Sequence, residues 1–432
     1  MGRPPRPRDG GLRAGAARHL LSAPRRPHRN RATLFNVPIA RPDRTPNRGE
    51  APMTPTDPSI HVLILAGGAG TRFWPASRAA RPKQLLPLLG GEPLLAATAR
   101  RALPLCARGG RAGWERVWIA TGQHLVAPTR AALPEVSERR LLVEPAPRNT
   151  APCIGWAAAT IARDDPEAVV VVLPSDHHIA DVPRFLEALG AAVASAQGGA
   201  ITTIGVRPTH PETGFGYIEV EEAAGEEGAA PAQPRRVRRF VEKPSHERAA
   251  EFVASGRFLW NAGMFIFRAG DMLAAIRAHL PALAAGLDEI DRAAALGPGA
   301  EAEAVLRVFP GLPAVSIDHG VMEHVAGLAV VPGDFGWSDV GSWQSAWELA
   351  DKDERGNSAP AGSVLIDAHG NHVVDLRARA APDDRRVIAL VGVEGLVVVE
   401  TDDALLIVPR DRAQEVKHAV DALKARGQGR HT

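Results

Sequence analysis

Cysteine is scarce in this 432-residue chain, with only Cys106 and Cys153 present. Two cysteines build no disulfide framework, and this pair has no metal-ligand spacing; both fit buried packing roles in a reducing, cytoplasmic setting. Long apolar runs are also missing: nothing approaches the roughly 18 residues that a membrane-spanning helix needs. No internal repeat is regular enough for a solenoid. No Ser-His or Cys-His pairing suggests a covalent nucleophile. Membrane and nucleic acid are therefore not expected as partners.

The remaining composition, 45% hydrophobic and 23% charged, is that of a soluble protein with a large core. The net charge of +2 conceals an uneven distribution. Before Met53 stand twelve Arg, no Lys and three acids, Asp9, Asp43 and Glu50, a net of +9 that leaves about −7 for the rest. Residues 1–58 read as a disordered Arg/Pro-rich tail, or as a start assigned too early, with Met53 the true first residue. The Arg-rich, acid-poor character also suits a transit peptide, although the prolines oppose an amphipathic helix.

From Ile60 the pattern becomes short apolar runs separated by stretches of helix length. This predicts an α/β fold, a Rossmann-like, mainly parallel sheet flanked by helices, over residues 59–353. Strands are expected at His61–Ala66, Val117–Ala120, Leu141–Val143, Ala168–Leu173, Ile201–Val206, Tyr217–Val220, Arg238–Val241 and Met264–Phe267. Helices are expected at Pro93–Ala102, Ala151–Arg163, Pro183–Ser195 and His246–Ala254. Residues 354–432 read as a small β-rich accessory domain with a closing helix, started by a capping box of Asp411 and Gln414.

In an open sheet of this kind, ligands sit beyond the carboxyl ends of the strands. The first strand runs through Leu65 and Ala66 into Gly67, Gly68, Ala69, Gly70, Thr71 and Arg72. Glycines let consecutive backbone N–H groups close on an anion. The loop is neither the dinucleotide fingerprint, since Phe73 occupies the last glycine position, nor a Walker A loop. Arg72 and Lys83 add two cations suited to a triphosphate.

Asp176 follows the strand Ala168–Leu173 and is a candidate ligand for a hard divalent cation such as Mg²⁺. The adjacent His177 and His178 point to opposite faces of an extended segment and do not readily share one ion. Asp339, among the tight-turning residues from Gly336 to Ser342, is positioned to approach the ion from the other side. Glu242 and Asn261 are groups of the kind that read sugar hydroxyls, and Lys243 can neutralise a sugar phosphate.

The blocks Leu65 to Arg72, Pro82-Lys83-Gln84, Phe240 to Pro244, Trp260 to Phe265 and Gly336 to Trp343, in that order, resemble the bacterial mannose-1-phosphate guanylyltransferases, sugar-phosphate nucleotidyltransferases. The likeness runs from Ile60 to the C-terminus. The resemblance implies transfer of GMP from GTP to α-D-mannose 1-phosphate with Mg²⁺, giving GDP-mannose and pyrophosphate, and a homodimer. It implies nucleotide contacts at Leu65, Ala66, Gly67, Gly68, Gly70, Thr71, Arg72 and Lys83, and at Arg148, Asn149 and Thr150, in the stretch from Glu144 that faces the base. Asp176 and Asp339 are the implied metal ligands, with Asp176 also on the nucleotide side. Gly216, Glu242, Lys243 and Asn261 are the implied sugar-phosphate contacts, and Arg72, Lys83 and Asp176 the implied catalytic group.

One departure is His319, where relatives usually carry tyrosine, and the isomerase domain that many relatives append is not expected in so short a chain. The competing readings are a transferase for glucose 1-phosphate with UTP or dTTP, and a non-catalytic regulatory paralogue that binds nucleotide-sugars.

Overall fold

The computed structural model describes residues 59–68, 70–89, 91–107, 113–221, 232–378 and 386–432. The tail read from residues 1–58, and Ala69 of the glycine-rich loop, lie outside the described residues.

The first eleven strands are β1 (Ile60–Leu65), β2 (Val117–Gly122), β3 (Leu141–Glu144), β4 (Val169–Pro174), β5 (His178–Ile179), β6 (Thr202–Val206), β7 (Gly216–Val220), β8 (Arg235–Glu242), β9 (Phe258–Arg268), β10 (Ala329–Gly333) and β11 (Trp337–Ser338). All except β5 and β11 join one sheet in the order β3-β2-β1-β4-β9-β6-β10-β8-β7. The first half, β3 to β4, is parallel. The second half is mixed: β9 runs antiparallel to β4, β6 and β7, while β10 is parallel to β6.

Burial explains why β4 is so plain in the sequence. Val169, Val171 and Leu173 face one core, and Val170 and Val172 the other. A strand covered on both faces needs no polar alternation and becomes a continuous apolar run. One core is closed by helices Thr150–Ala162, Ala269–His279, Pro281–Ala294 and Pro298–Val308. The other is closed chiefly by Leu94–Ala102 and Val182–Gln197.

The strand expected at Met264–Phe267 extends back to Phe258. The β6–β9 pairing shifts register between Thr203 and Gly205, close to Gly263, whose φ is +66°. A glycine suits such an irregularity because it tolerates positive φ without a Cβ clash.

Five further strands follow. β12 (Val364–Ile366) pairs in parallel with β14 (Ala389–Val391), and β13 (His372–Asp375), β15 (Leu396–Glu400) and β16 (Leu405–Pro409) make a three-stranded sheet. Val397, Val399, Leu406, Val416 and Val420 share an apolar cluster with Phe73, Trp74, Leu86 and Trp343. The Trp343 indole donates to the Trp74 carbonyl at 3.1 Å, and the Phe73 and Trp343 rings meet edge-on with centroids 5.0 Å apart. The exit of the glycine-rich loop is thus seated in a core built partly by the C-terminal strands.

The capping box at Asp411 and Gln414 does not form. Both residues lie inside a 3₁₀ turn, Arg410–Glu415, and the following helix Val416–Ala425 has no side-chain cap. The tight turn satisfies the first backbone donors that a cap would otherwise serve.

Candidate active site

The carboxyl end of β1 feeds Ala66, Gly67 and Gly68 into a cavity of about 330 Å³, also lined by Leu65, Gln84, Glu144, Arg148, Asn149, Thr150 and Asp176. Opposite the glycines, the helix Thr150–Ala162 starts with its amino end at the cavity. Asn149, at φ +66°, caps it by accepting the Thr150 N–H at 2.9 Å. A helix amino end and a glycine-rich turn both present N–H donors, an arrangement that favours anions. The Thr150 hydroxyl is already engaged, accepting the Ile317 N–H at 2.9 Å.

Gly70 is required by close packing. Its φ is +58°, and a Cβ there would stand 2.5 Å from the Lys83 Cβ and 2.8 Å from the Lys83 backbone nitrogen. The contact brings the lysine against the loop. Lys83, only 5% exposed, donates to Asp176 Oδ2 at 2.9 Å and to the backbone carbonyl of Asp339 at 2.5 Å. Gln84, buried beside it, donates to the carbonyls of Ala66 at 2.8 Å and Gly68 at 3.2 Å and so holds the loop open. Thr71 and Arg72 are exposed on the following turn.

A two-residue ladder brings the distant aspartates together. β5 pairs antiparallel with β11, matching Ile179 with Trp337 and His178 with Ser338, so Asp176 and Asp339 flank the same lysine. The turn at Asp339 is tight: Val340 has φ +47°, and a Cβ on Gly341 would fall 2.8 Å from Asp339 Oδ2. His177 accepts the Trp337 indole N–H at 3.1 Å, and burial pushes its pKa down to about 4, so it is neutral and structural at physiological pH.

The two carboxylates differ electrostatically. Burial pushes Asp176 up, but the Lys83 charge, His177 when it is protonated at low pH, and the Lys83 hydrogen bond outweigh it and hold the group below its usual value. Burial raises Asp339, and the charges of Asp176 and Glu212 add to this against Lys83 and Arg72. Two mutually repelling hard-oxygen ligands suit a divalent cation that keeps waters or phosphate oxygens in its remaining positions. Among the described residues, no cluster of three or more His, Cys, Asp or Glu forms an all-protein metal cage.

Asp339, Arg72 and Lys243 line a second cavity of about 830 Å³, with Glu212, Phe215, Trp260 and Trp337 among its walls. Beside it, Gly216, Glu242 and Asn261 sit on neighbouring strands: Gly216 pairs with Glu242, and a Cβ on Gly216 would come within 2.5 Å of Glu242 Oε2. Lys243 Nζ lies 2.6 Å from Glu242 Oε1, while Glu242 Oε2 is buried without a partner. An unmet buried acceptor at this place suits a hydroxyl donor.

Leu65, Ala66, Gly67, Gly68, Arg148, Asn149, Thr150 and Asp176 line the first cavity and Arg72, Lys243 and Asp339 the second, while Gly70, Thr71, Lys83, Gly216, Glu242 and Asn261 line neither; Lys83 joins the two aspartates at the seam. Three contributors were not singled out from the sequence, Gln84, Glu212 and Asp318, the last accepting from Asn261 Nδ2 at 2.9 Å, whereas Glu144 was expected only as the start of a base-facing stretch. Gln84 was signalled by its neighbour Lys83. The others depend on contacts between segments far apart in the chain. His319 is exposed and contacts Glu323 at 3.3 Å, so its departure from tyrosine falls on the surface.

Comparison with known proteins shows the family. The nucleotidyl transferase family model matches residues 61–356, and a mannose-phosphate isomerase/GMP-like β-helix domain model matches 364–423. The xanthan biosynthesis protein XanB of Xanthomonas campestris pv. campestris (strain B100) is 39% identical over 86% of this chain and 74% of its own length. The mannose-1-phosphate guanylyltransferase of Escherichia coli (strain K12) is 39% identical over 86% of this chain and 75% of its own. A solved structure from Thermus thermophilus, described as a mannose-1-phosphate geranyltransferase, superposes with a TM-score of 0.72 at 36% identity, covering 85% of this chain and 99% of that one. The chain belongs to the nucleotidyl transferase family, in the group of the mannose-1-phosphate guanylyltransferases.

Proposed function

We propose that the chain transfers GMP from GTP to α-D-mannose 1-phosphate, releasing pyrophosphate and forming GDP-mannose. The observation that carries this reading is Lys83 bonded to both Asp176, which lines a cavity edged by the glycine-rich backbone and a helix amino end, and Asp339, which lines a second cavity together with Arg72 and Lys243.

An oxygen of the sugar phosphate attacks the α-phosphorus, and the bond from that phosphorus to the bridging oxygen breaks, so pyrophosphate leaves with the electron pair. The nucleophile is already ionised at neutral pH, and no side chain has to remove a proton. The protein's task is alignment and charge neutralisation. Lys83 is fixed between the cavities and supplies positive charge there, with Arg72 at the rim and Lys243 on the sugar side. Enzymes of this family work with a divalent metal; Asp176 and Asp339 would hold Mg²⁺, which when bound neutralises phosphate charge.

Guanine selection falls to Glu144. It ends β3 at the nucleotide cavity, its Oε2 would lie 3.5 Å from a Cβ on Gly67, and burial alone raises its pKa to about 7. An ionised carboxylate accepts two parallel hydrogen bonds from guanine N1–H and the 2-amino group, which thymine and uracil do not offer. Glu144→Gln replaces one acceptor with a donor facing those donors. Its kcat/KM for GTP should fall by about 100-fold, as expected when a buried polar partner is mismatched.

The pH dependence follows from the direction of the shift. The group is raised, so the ionised, guanine-accepting form dominates above about pH 7 and is lost as pH falls through it. The wild-type kcat/KM for GTP should decline below pH 7, and the Glu144→Gln profile should lack that limb. An unchanged GTP preference in Glu144→Gln would refute this assignment.

A further inference from the structure

Asp318 lies on a single π-turn, Asp318–Met322, a rare backbone form that concentrates at functional positions. Its segment ties the two cavities together. On the nucleotide side, the Val315 carbonyl accepts the Ala151 N–H at 3.1 Å and the Ile317 N–H reaches Thr150 Oγ1 at 2.9 Å. On the sugar side, Asn261 Nδ2 donates to Asp318 Oδ1 at 2.9 Å, and Glu323 Oε1 accepts the Glu242 N–H at 3.3 Å.

These contacts fix Asn261 completely. Its Oδ1 accepts from the Gly263 N–H at 3.1 Å and, at 3.2 Å, shares the single Thr203 hydroxyl hydrogen with the Met264 carbonyl at 2.9 Å. Oxygen and nitrogen are thereby assigned, with one amide hydrogen held by Asp318 and the other left to a ligand. The surroundings are costly for a carboxylate. Desolvation and the neighbouring Glu242 raise Asp318 to about 6, against its own N–H, Asn261 and Lys243. Glu242 Oε2 beside it is buried and unpartnered. A neutral side chain would hold Asn261 at lower cost, so two carboxylates facing one another here suggest a ligand that brings hydroxyl donors.

We propose that Asp318 is a positioning residue for the sugar: it locks Asn261 in one amide orientation and, with Glu242, presents a pair of carboxylates to the hydroxyls of a hexose phosphate. This rests on the sugar-phosphate reading of the second cavity. The charged or titratable groups around Asp318 are Glu242 and Lys243 on and after β8, and His319 and Glu323 on its own turn. The ionised form accepts from hydroxyls, so sugar affinity is full above about pH 6 and falls as pH drops through that value.

The test is steady-state kinetics with Asp318→Asn, which retains an acceptor for Asn261 and removes the charge. KM for mannose 1-phosphate should rise about tenfold while KM for GTP stays within about twofold, the scale of one lost charge-assisted hydrogen bond. Between pH 5.5 and 7.5, the variant's sugar KM should vary less than the wild type's. The second ionisation of the sugar phosphate, near 6, is common to both proteins and cancels in the comparison. Thr203→Val, which removes the hydroxyl shared by Asn261 and the Met264 carbonyl but no charge, should raise the sugar KM about threefold without altering the pH profile.

An unchanged sugar KM in Asp318→Asn would overturn the proposal, as would a parallel rise in both KM values with a lowered melting temperature. Calorimetric binding of mannose 1-phosphate supplies the same readout if turnover is too slow to measure. If the wild type prefers another hexose phosphate, the mannose assignment fails, and the effect of Asp318→Asn is then read on the preferred sugar.

Discussion

Replacing Asp176 with Asn is expected to lower turnover by about three orders of magnitude while leaving the fold intact, a loss typical of removing one preorganised electrostatic group from a phosphoryl-transfer site. Asparagine matches the carboxylate in shape, and its oxygen still accepts from Lys83. What disappears is the negative charge at the carboxyl end of β4, next to the seam between the cavities. The concentration of Mg²⁺ giving half-maximal activity should rise with the loss, since a neutral amide is a poor ligand for a hard cation. A folded Asp176→Asn protein with full activity would contradict the metal assignment.

Lys83→Ala should cost at least as much, about 10³-fold to 10⁴-fold in turnover, by removing the cation placed between the two substrates. The two variants separate in their metal response. Without Lys83, Asp176 and Asp339 face each other with less competing positive charge, so the Mg²⁺ requirement should not rise. The fold should persist but the melting temperature should fall, because Asp176 loses its buried partner and the Asp339 carbonyl its donor. Circular dichroism and Mg²⁺ titration of both variants check these expectations. An equal rise in Mg²⁺ requirement for both would show that Lys83 acts through the ion rather than on the phosphates.

The parts of this site that were legible in the sequence are those whose physics is local. The run Val169–Leu173 had to be a buried strand, and an aspartate just beyond it had to face the crevice. Glycines before Arg72 and Lys83 announced a turn for an anion. Asp339 was legible only as a partner for Asp176, because the ladder that carries it, β5 with β11, is two residues long and leaves no periodic trace. The helices between Ala269 and Val308 were not among those expected, although Leu283, Leu287 and Ile290 recur at helical spacing; the many alanines around them blur the boundary between buried and exposed faces.

Glu144, Glu212 and Asp318 show the limit most clearly. Each is an ordinary acid in its own segment and acquires a role only from residues far away: the glycine loop for Glu144, Asp339 for Glu212, and Asn261 with Glu242 for Asp318. The same holds for Phe73 and Trp74. The sequence places them after the glycine-rich loop, and the fold uses them as anchors in a core shared with the last strands.

In the proposed reaction a guanine nucleotide and a mannose phosphate meet at one seam. The most direct test measures pyrophosphate release by the purified chain across the four nucleoside triphosphates and a panel of hexose 1-phosphates, with Mg²⁺ present. GTP with mannose 1-phosphate should give the highest kcat/KM by at least about tenfold, the discrimination expected from matched buried hydrogen bonds. Preference for UTP or dTTP with glucose 1-phosphate, or no turnover despite tight binding of GDP-mannose, would contradict it.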